Sequence, residues 1–282
     1  MTVGLVGLGQ MGSALAASLV EAGLDLIAHD RAGPARCPEG VGFVPDAGAM
    51  ARRAHIVVLS LPDGSASLEV AGQMAGAADR RVTHVVDTST IGLDAARRID
   101  ALLTDAGVAY IDAPVSGGPA GARARTLTVM YAGDPEACRA VEPVLAGLGD
   151  RRFRVGPTAG MGQAMKLANN FLSATALAAT SEAIAFGTSA GLSMDVMLEV
   201  LNASSGRSAA TSDKFVQHVL TRRYASGFTN TLMSKDLTLY LRATRDRGSP
   251  GVVGDVVGQL WERFASHQPG ADFTRIYPFV DS

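Results

Sequence analysis

The chain has 282 residues, 47% hydrophobic and 18% charged, which excludes a disordered polypeptide and leaves room for two domains. A formal net charge of −2 provides no overall basic field, so neither a nucleic-acid nor a membrane partner is expected. Two cysteines, Cys37 and Cys138, have no metal-type spacing, and no basic leader, signal-peptide core or uncharged run of about 20 residues is found, so the chain reads as cytoplasmic.

Val3 to Gly7 predicts a strand and Ser13 to Ala22 a helix with Leu15, Ser18, Leu19 and Ala22 on one face, closed by Gly23. Between them lies Gly7-Leu8-Gly9-Gln10-Met11-Gly12, a G-x-G-x-x-G turn placed between strand and helix, where glycines admit a pyrophosphate to the helix N-terminus. Leu24 to His29 is the next strand, and Asp30 follows it, 18 residues after Gly12. A carboxylate there accepts hydrogen bonds from the adenosine ribose hydroxyls and repels an added phosphate, which favours NAD over NADP. Arg31 beside it leaves NADP as the less favoured alternative.

Further strands are predicted over His55 to Leu61, Thr83 to Val86, Val108 to Ile111 and Leu127 to Tyr131, with helix-like segments between several of them. This alternation means an α/β fold with a Rossmann-type, doubly wound, mostly parallel sheet. Pro135 to Leu145 reads as one helix, followed by a short strand near Phe153 to Val155. After Gly160 the strand signals stop: Gly162 to Ala190 reads as one long helix, and glycines divide the remainder into four or five more. The expected organisation is a dinucleotide-binding domain over 1–161 and an all-α domain over 162–282.

Ser116-Gly117-Gly118 follows a strand-like Tyr110 to Ala113 and Pro114, which predicts a loop at the carboxyl edge of the sheet. Open backbone N–H groups and a hydroxyl there suit a carboxylate, although a plain glycine turn has the same composition. Lys166 and Asn170 are four residues apart and share one face of the long helix, either as a site or as a solvated face. Lysine is scarce: Lys166, Lys214 and Lys235 are the only three among 25 basic residues, and arginine cannot replace a lysine where a compact ammonium is needed. Leu61-Pro62 by itself reads as a strand terminator. The five histidines have neither metal-site nor triad spacing, so no metal is predicted.

Four stretches now stand in order along the chain: Gly7 to Gly12, Asp112-Ala113-Pro114-Val115-Ser116-Gly117-Gly118, Gly160-Met161-Gly162-Gln163-Ala164-Met165-Lys166-Leu167-Ala168-Asn169-Asn170, and Lys235-Asp236-Leu237. Together they resemble the β-hydroxyacid dehydrogenase family from end to end. Ser204-Ser205-Gly206-Arg207, Gly227-Phe228 and Asp272-Phe273 resemble its 3-hydroxyisobutyrate dehydrogenase branch most. The resemblance implies that Lys166 is catalytic, that Ser116, Gly117, Gly118 and Asn170 hold the substrate, and that Lys235 contacts the cofactor. It also implies that Leu61, Pro62 and Thr90 line the nicotinamide ribose, that NAD is the cofactor and a small hydroxy acid the substrate, and that the protein is a homodimer or homotetramer. The expected reaction is oxidation of 3-hydroxyisobutyrate to methylmalonate semialdehyde. A tartronate semialdehyde reductase using the same machinery is the enzymatic alternative, and a dinucleotide-binding module without chemistry is the other. In one departure, Arg125 stands where relatives carry glycine before the Thr126-Leu127-Thr128 strand.

Overall fold

The structure is a computed structural model, and it describes residues 1–281. Its contacts divide the chain into two compact units, Met1–Lys166 and the remainder from Leu167.

The first unit opens with β1 (Val3–Val6), α1 (Gln10–Glu21), β2 (Leu26–His29), β3 (Gly42–Phe43) and α2 (Ala47–Arg53). It continues through β4 (Ile56–Leu59), α3 (Gly64–Ala75), β5 (His84–Asp87), α4 (Leu93–Asp105), β6 (Ala109–Asp112), β7 (Val115–Ser116) and α5 (Gly118–Arg123). Then come β8 (Thr128–Ala132), α6 (Pro135–Ala140), α7 (Glu142–Leu148), β9 (Arg151–Gly156) and the start of α8 (Met161–Ser189). The strand order is β3-β2-β1-β4-β5-β6-β8-β7, with β9 on β8. All neighbours from β3 to β6 are parallel, as is β8 with β9, while β8 runs antiparallel to β6 and β7. The fold is therefore the doubly wound, mostly parallel sheet that the alternation predicted.

Successive side chains of a strand point to opposite faces, and here both faces are covered. Ile56 and Val58 of β4 join the cluster with Leu15, Leu19 and Leu145, whereas Val57 and Leu59 join the one with Met50, Met74 and Ile99. On the first face, buried Ser18 Oγ–H of α1 donates to the Gly147 carbonyl at 2.8 Å, so that hydroxyl is satisfied without water.

Three local expectations are corrected. α1 begins at Gln10, inside the glycine turn, because Gly9 in an extended conformation already caps it. The helix expected over Pro135 to Leu145 is two, divided at Val141, with a proline in the first turn of each. Ser116 sits on a strand rather than in a loop: Val115 and Ser116 pair with Val129 and Thr128, a two-residue run too short to leave a period in the sequence.

The second unit is helical. After the body of α8 come α9 (Met194–Asn202), a π-helix over Ala210–Val219, α10 (Asn230–Asp246), α11 (Val252–His267), a 3-10 turn over Phe273–Arg275 and α12 (Ile276–Val280). Trp261, Phe264 and Phe215 are fully buried at its centre with Leu177, Ile184 and Ile276. The indole N–H of Trp261 donates to the Ala174 carbonyl at 3.3 Å, and Asn230 Nδ2 donates to the carbonyls of Phe264 and Gln268. Among the described residues no helix is long and apolar enough to cross a membrane.

Candidate active site

The glycine turn has the close backbone packing that a dinucleotide cradle needs. A Cβ on Gly12 would lie 1.8 Å from the Gly7 carbonyl oxygen, so only glycine permits this contact between turn and helix. A Cβ on Gly9, by contrast, would meet nothing within 4 Å, and no side chain caps the α1 N-terminus behind it. A packed floor with an open lip at a helix N-terminus suits a pyrophosphate. Leu8 N–H donates to Asp30 Oδ2 at 2.6 Å, and Ala32 N–H donates to Asp30 Oδ1 at 2.7 Å. Asp30 is therefore held at the end of β2 against the turn, with a half-buried carboxylate, while Arg31 is exposed. These residues fit the adenosine half of NAD.

The loops after β4 and β5 are tied together, because Leu61 N–H donates to Ser89 Oγ at 2.8 Å. That bond brings Leu61-Pro62 beside the segment that carries Thr90. Asp87 and Asp112 stand in register at the carboxyl ends of β5 and β6, both fully buried. Burial raises both carboxyls, Asp112 to about 6, while hydroxyl and N–H donors pull the other way. Asp87 accepts from Ser89 N–H at 2.9 Å and from the Tyr110 hydroxyl at 3.3 Å. Asp112 Oδ2 accepts from the backbone N–H of Gly160 at 2.9 Å and of Gln163 at 3.0 Å, which fixes the start of α8 to the end of β6.

Gly162 makes that junction possible. A Cβ there would lie 2.8 Å from the carbonyl oxygens of both Asp112 and Met130. Four residues after Asp112, Ser116 is half-buried, and Gly117 and Gly118 follow at φ +129° and +65°, the left-handed region that glycine tolerates without strain. Their backbone turns directly into α5. One turn into α8, Lys166 is 8% exposed while its neighbour Met165 is 43% exposed, so the helix carries its ammonium on an inward face.

In the second unit Asn170, also buried, continues the Lys166 face one turn on. Its Nδ2 donates to Asp236 Oδ2 at 2.6 Å, and Asn169 Nδ2 donates to its Oδ1 at 3.1 Å. Lys235 lies 3.3 Å from Asp236 Oδ1, so the predicted Lys235 and Asn170 converge on one buried carboxylate.

Comparison with known proteins places this geometry. Residues 2–156 match the family described as the NAD binding domain of 6-phosphogluconate dehydrogenase. Residues 160–280 match that described as the NAD-binding domain of NADP-dependent 3-hydroxyisobutyrate dehydrogenase. The chain belongs to the 3-hydroxyisobutyrate dehydrogenase family. A solved structure of Mycobacterium tuberculosis 3-hydroxyisobutyrate dehydrogenase with L-serine superposes with a TM-score of 0.93 at 30% identity, covering 100% of this chain and 99% of that one. Similar curated relatives include a 2-(hydroxymethyl)glutarate dehydrogenase of Eubacterium barkeri, 31% identical over 92% of this chain and 88% of its own. Another is an NAD-dependent L-serine dehydrogenase of Pseudomonas aeruginosa, 35% identical over 92% of this chain and 90% of its own. This dehydrogenase is an NAD-binding oxidoreductase of β-hydroxy acids, acting on a CH–OH group.

Two residues of this dehydrogenase's polar framework, Gln163 and Asp236, stand inside the recognised motifs but show no chemistry of their own in the sequence. Their signal was positional: Gln163 is three residues before Lys166, and Asp236 adjoins Lys235. Arg125, the departure from the family pattern, has a φ of +57°, in the left-handed region that favours glycine.

Proposed function

We propose that the chain oxidises a short β-hydroxy acid, 3-hydroxyisobutyrate foremost, to the aldehyde acid, methylmalonate semialdehyde. One observation supports this above the others: a buried lysine stands one turn from the N-terminus of a helix bonded, through Asp112, to the strand that leads into Ser116-Gly117-Gly118. NAD, when bound, supplies the hydride acceptor. The Gly7 to Gly12 turn holds its pyrophosphate, Asp30 its adenosine ribose, and Leu61, Pro62 and Thr90 its nicotinamide ribose, while Lys235 provides a cation to the cofactor. Ser116 with the N–H groups of Gly117 and Gly118 binds the substrate carboxylate, and Asn170 fixes its orientation. In oxidation the uncharged Lys166 amine takes the hydroxyl proton, and the ammonium so formed stabilises the negative charge on the carbinol oxygen until the hydride leaves the carbon and the carbonyl forms. In the reductive direction the ammonium returns that proton.

L-serine is a second reading, favoured by the 35% identity to a relative named for that substrate, and it has the same primary alcohol two carbons from a carboxylate. The apolar side chains of Phe186, Val252 and Val256, 76%, 81% and 68% exposed, support self-association as a homodimer or homotetramer. The test is an activity matrix: 3-hydroxyisobutyrate, L-serine and 2-(hydroxymethyl)glutarate against NAD and NADP, with tartronate semialdehyde in the reductive direction. The highest kcat/KM is expected for 3-hydroxyisobutyrate with NAD. Absence of reduced nicotinamide across the panel would overturn the reading.

A further inference from the structure

One fully satisfied polar side chain in the first unit is used by no reading of the reaction. Gln163 is fully buried, and its amide makes four hydrogen bonds to two other segments. Oε1 accepts from Ile91 N–H at 2.8 Å and Gly92 N–H at 3.1 Å. Nε2 donates to the Ser89 carbonyl at 3.0 Å and to Asp112 Oδ1 at 2.6 Å. A glutamine amide has two donors and a two-lone-pair acceptor, so its capacity is used in full.

The placement of these partners gives the amide a role. Ser89, Ile91 and Gly92 surround Thr90 in the loop after β5, and through Ser89 Oγ that loop is joined to Leu61. Asp112 ends β6, four residues before Ser116, and its second oxygen holds the N–H groups of Gly160 and Gln163 itself. Lys166 lies three residues after Gln163, on the adjoining turn of α8. One side chain thus joins the ribose loop, the strand leading to the carboxylate loop, and the helix that bears the amine. We propose that Gln163 is a positioning residue that sets Lys166 in register with the Thr90 and Ser116 segments. The inference rests on the proposed role of Lys166.

The polarity of the network gives it direction. In Gln163→Met the shape is roughly kept, but the N–H groups of Ile91 and Gly92 lose their acceptor and Asp112 loses a donor. In Gln163→Glu two carboxylates face each other at the 2.6 Å contact. Adding Asp112→Asn to Gln163→Glu restores a donor and acceptor pair across that contact, with the polarity reversed, and leaves only the Ser89 carbonyl mismatched. A double-mutant cycle therefore reads the Gln163–Asp112 coupling directly.

Three measurements on the 282-residue chain test this, with Lys166→Ala as control. In Gln163→Met, amide exchange at Ile91 and Gly92 should accelerate relative to neighbouring amides of α4, a readout that needs neither cofactor nor turnover. The kcat of the folded enzyme should fall about tenfold to hundredfold, as misplacement of a catalytic group by up to an ångström does, while KM for NAD changes by much less, since the Thr90 loop is loosened but the glycine turn is untouched. Gln163→Glu/Asp112→Asn should recover kcat relative to Gln163→Glu alone. Wild-type kcat in Gln163→Met beside an inactive Lys166→Ala would overturn the inference and leave the reading of the site intact. The same holds if only the melting temperature falls, or if kcat and NAD affinity fall together. Full turnover in Lys166→Ala would remove the reading itself, and the positioning role with it.

Discussion

Replacing Gly162 by alanine tests how tightly packing and chemistry are linked. The added methyl carbon would lie 2.8 Å from two backbone carbonyl oxygens and 2.9 Å from Asp112 Oδ2, which the Gly160 and Gln163 N–H groups hold in place. Reaching ordinary contact needs a shift of about half an ångström, and because the sheet is covered on both faces, α8 is the part that moves. Overpacking of this kind costs about 1–3 kcal/mol, and alanine's better helix propensity returns roughly 1 kcal/mol. For a chain of this size the balance lowers the melting temperature by only a few degrees. Lys166 lies one turn further along the same helix, so kcat should fall about tenfold, since an ångström of misplacement can cost about a hundredfold. Turnover by absorbance at the reduced-nicotinamide band, NADH binding by fluorescence and a thermal melt separate the three effects. A Gly162→Ala enzyme with wild-type kcat would refute the link between this junction and the amine.

Three other substitutions carry distinct expectations. Arg125→Gly should stabilise the protein by about 1 kcal/mol, because the left-handed backbone strains any residue with a Cβ; a lower melting temperature would contradict this. Asp30→Ala should weaken NAD binding about tenfold to hundredfold through loss of charge-assisted bonds, and so raise NADP usage relative to NAD. An unchanged NAD to NADP ratio in kcat/KM would remove Asp30 from the ribose site. Asp112 binds its proton more tightly folded, at about 6, than unfolded, near 3.8. Stability from this group is therefore present below about pH 4 and is lost as pH rises to about 6, by up to about 3 kcal/mol. Denaturant unfolding of wild type and Asp112→Asn between those limits should show the wild type losing ground as pH rises. The opposite slope would show that hydrogen bonds outweigh burial at this carboxyl.

The doubly wound sheet was legible because short continuous apolar runs such as Ile56 to Leu59 alternate with helical spacing, and because Gly7 to Gly12 marks the first crossover. What escaped was set by partners distant in sequence. β3 and β7 are two-residue strands that exist only because β2 and β8 offer them an edge. The break at Val141 was hidden because apolar spacing continues across it. In the site, residues with chemistry on their own side chains could be named in advance, whereas Gln163 and Asp236 act only through what they hold. A glutamine within a motif has no visible role until its partners, 51 to 74 residues earlier in the chain, are folded against it.

Lys166 is the residue on which the account turns, and its replacement by alanine is the most direct measurement. Steady-state turnover of 3-hydroxyisobutyrate and NAD should drop by several orders of magnitude, while NADH binding and the melting temperature stay close to wild type, as removal of a charge-stabilising amine from an intact cradle requires. A Lys166→Ala enzyme that binds NADH and turns over near the wild-type rate would contradict it.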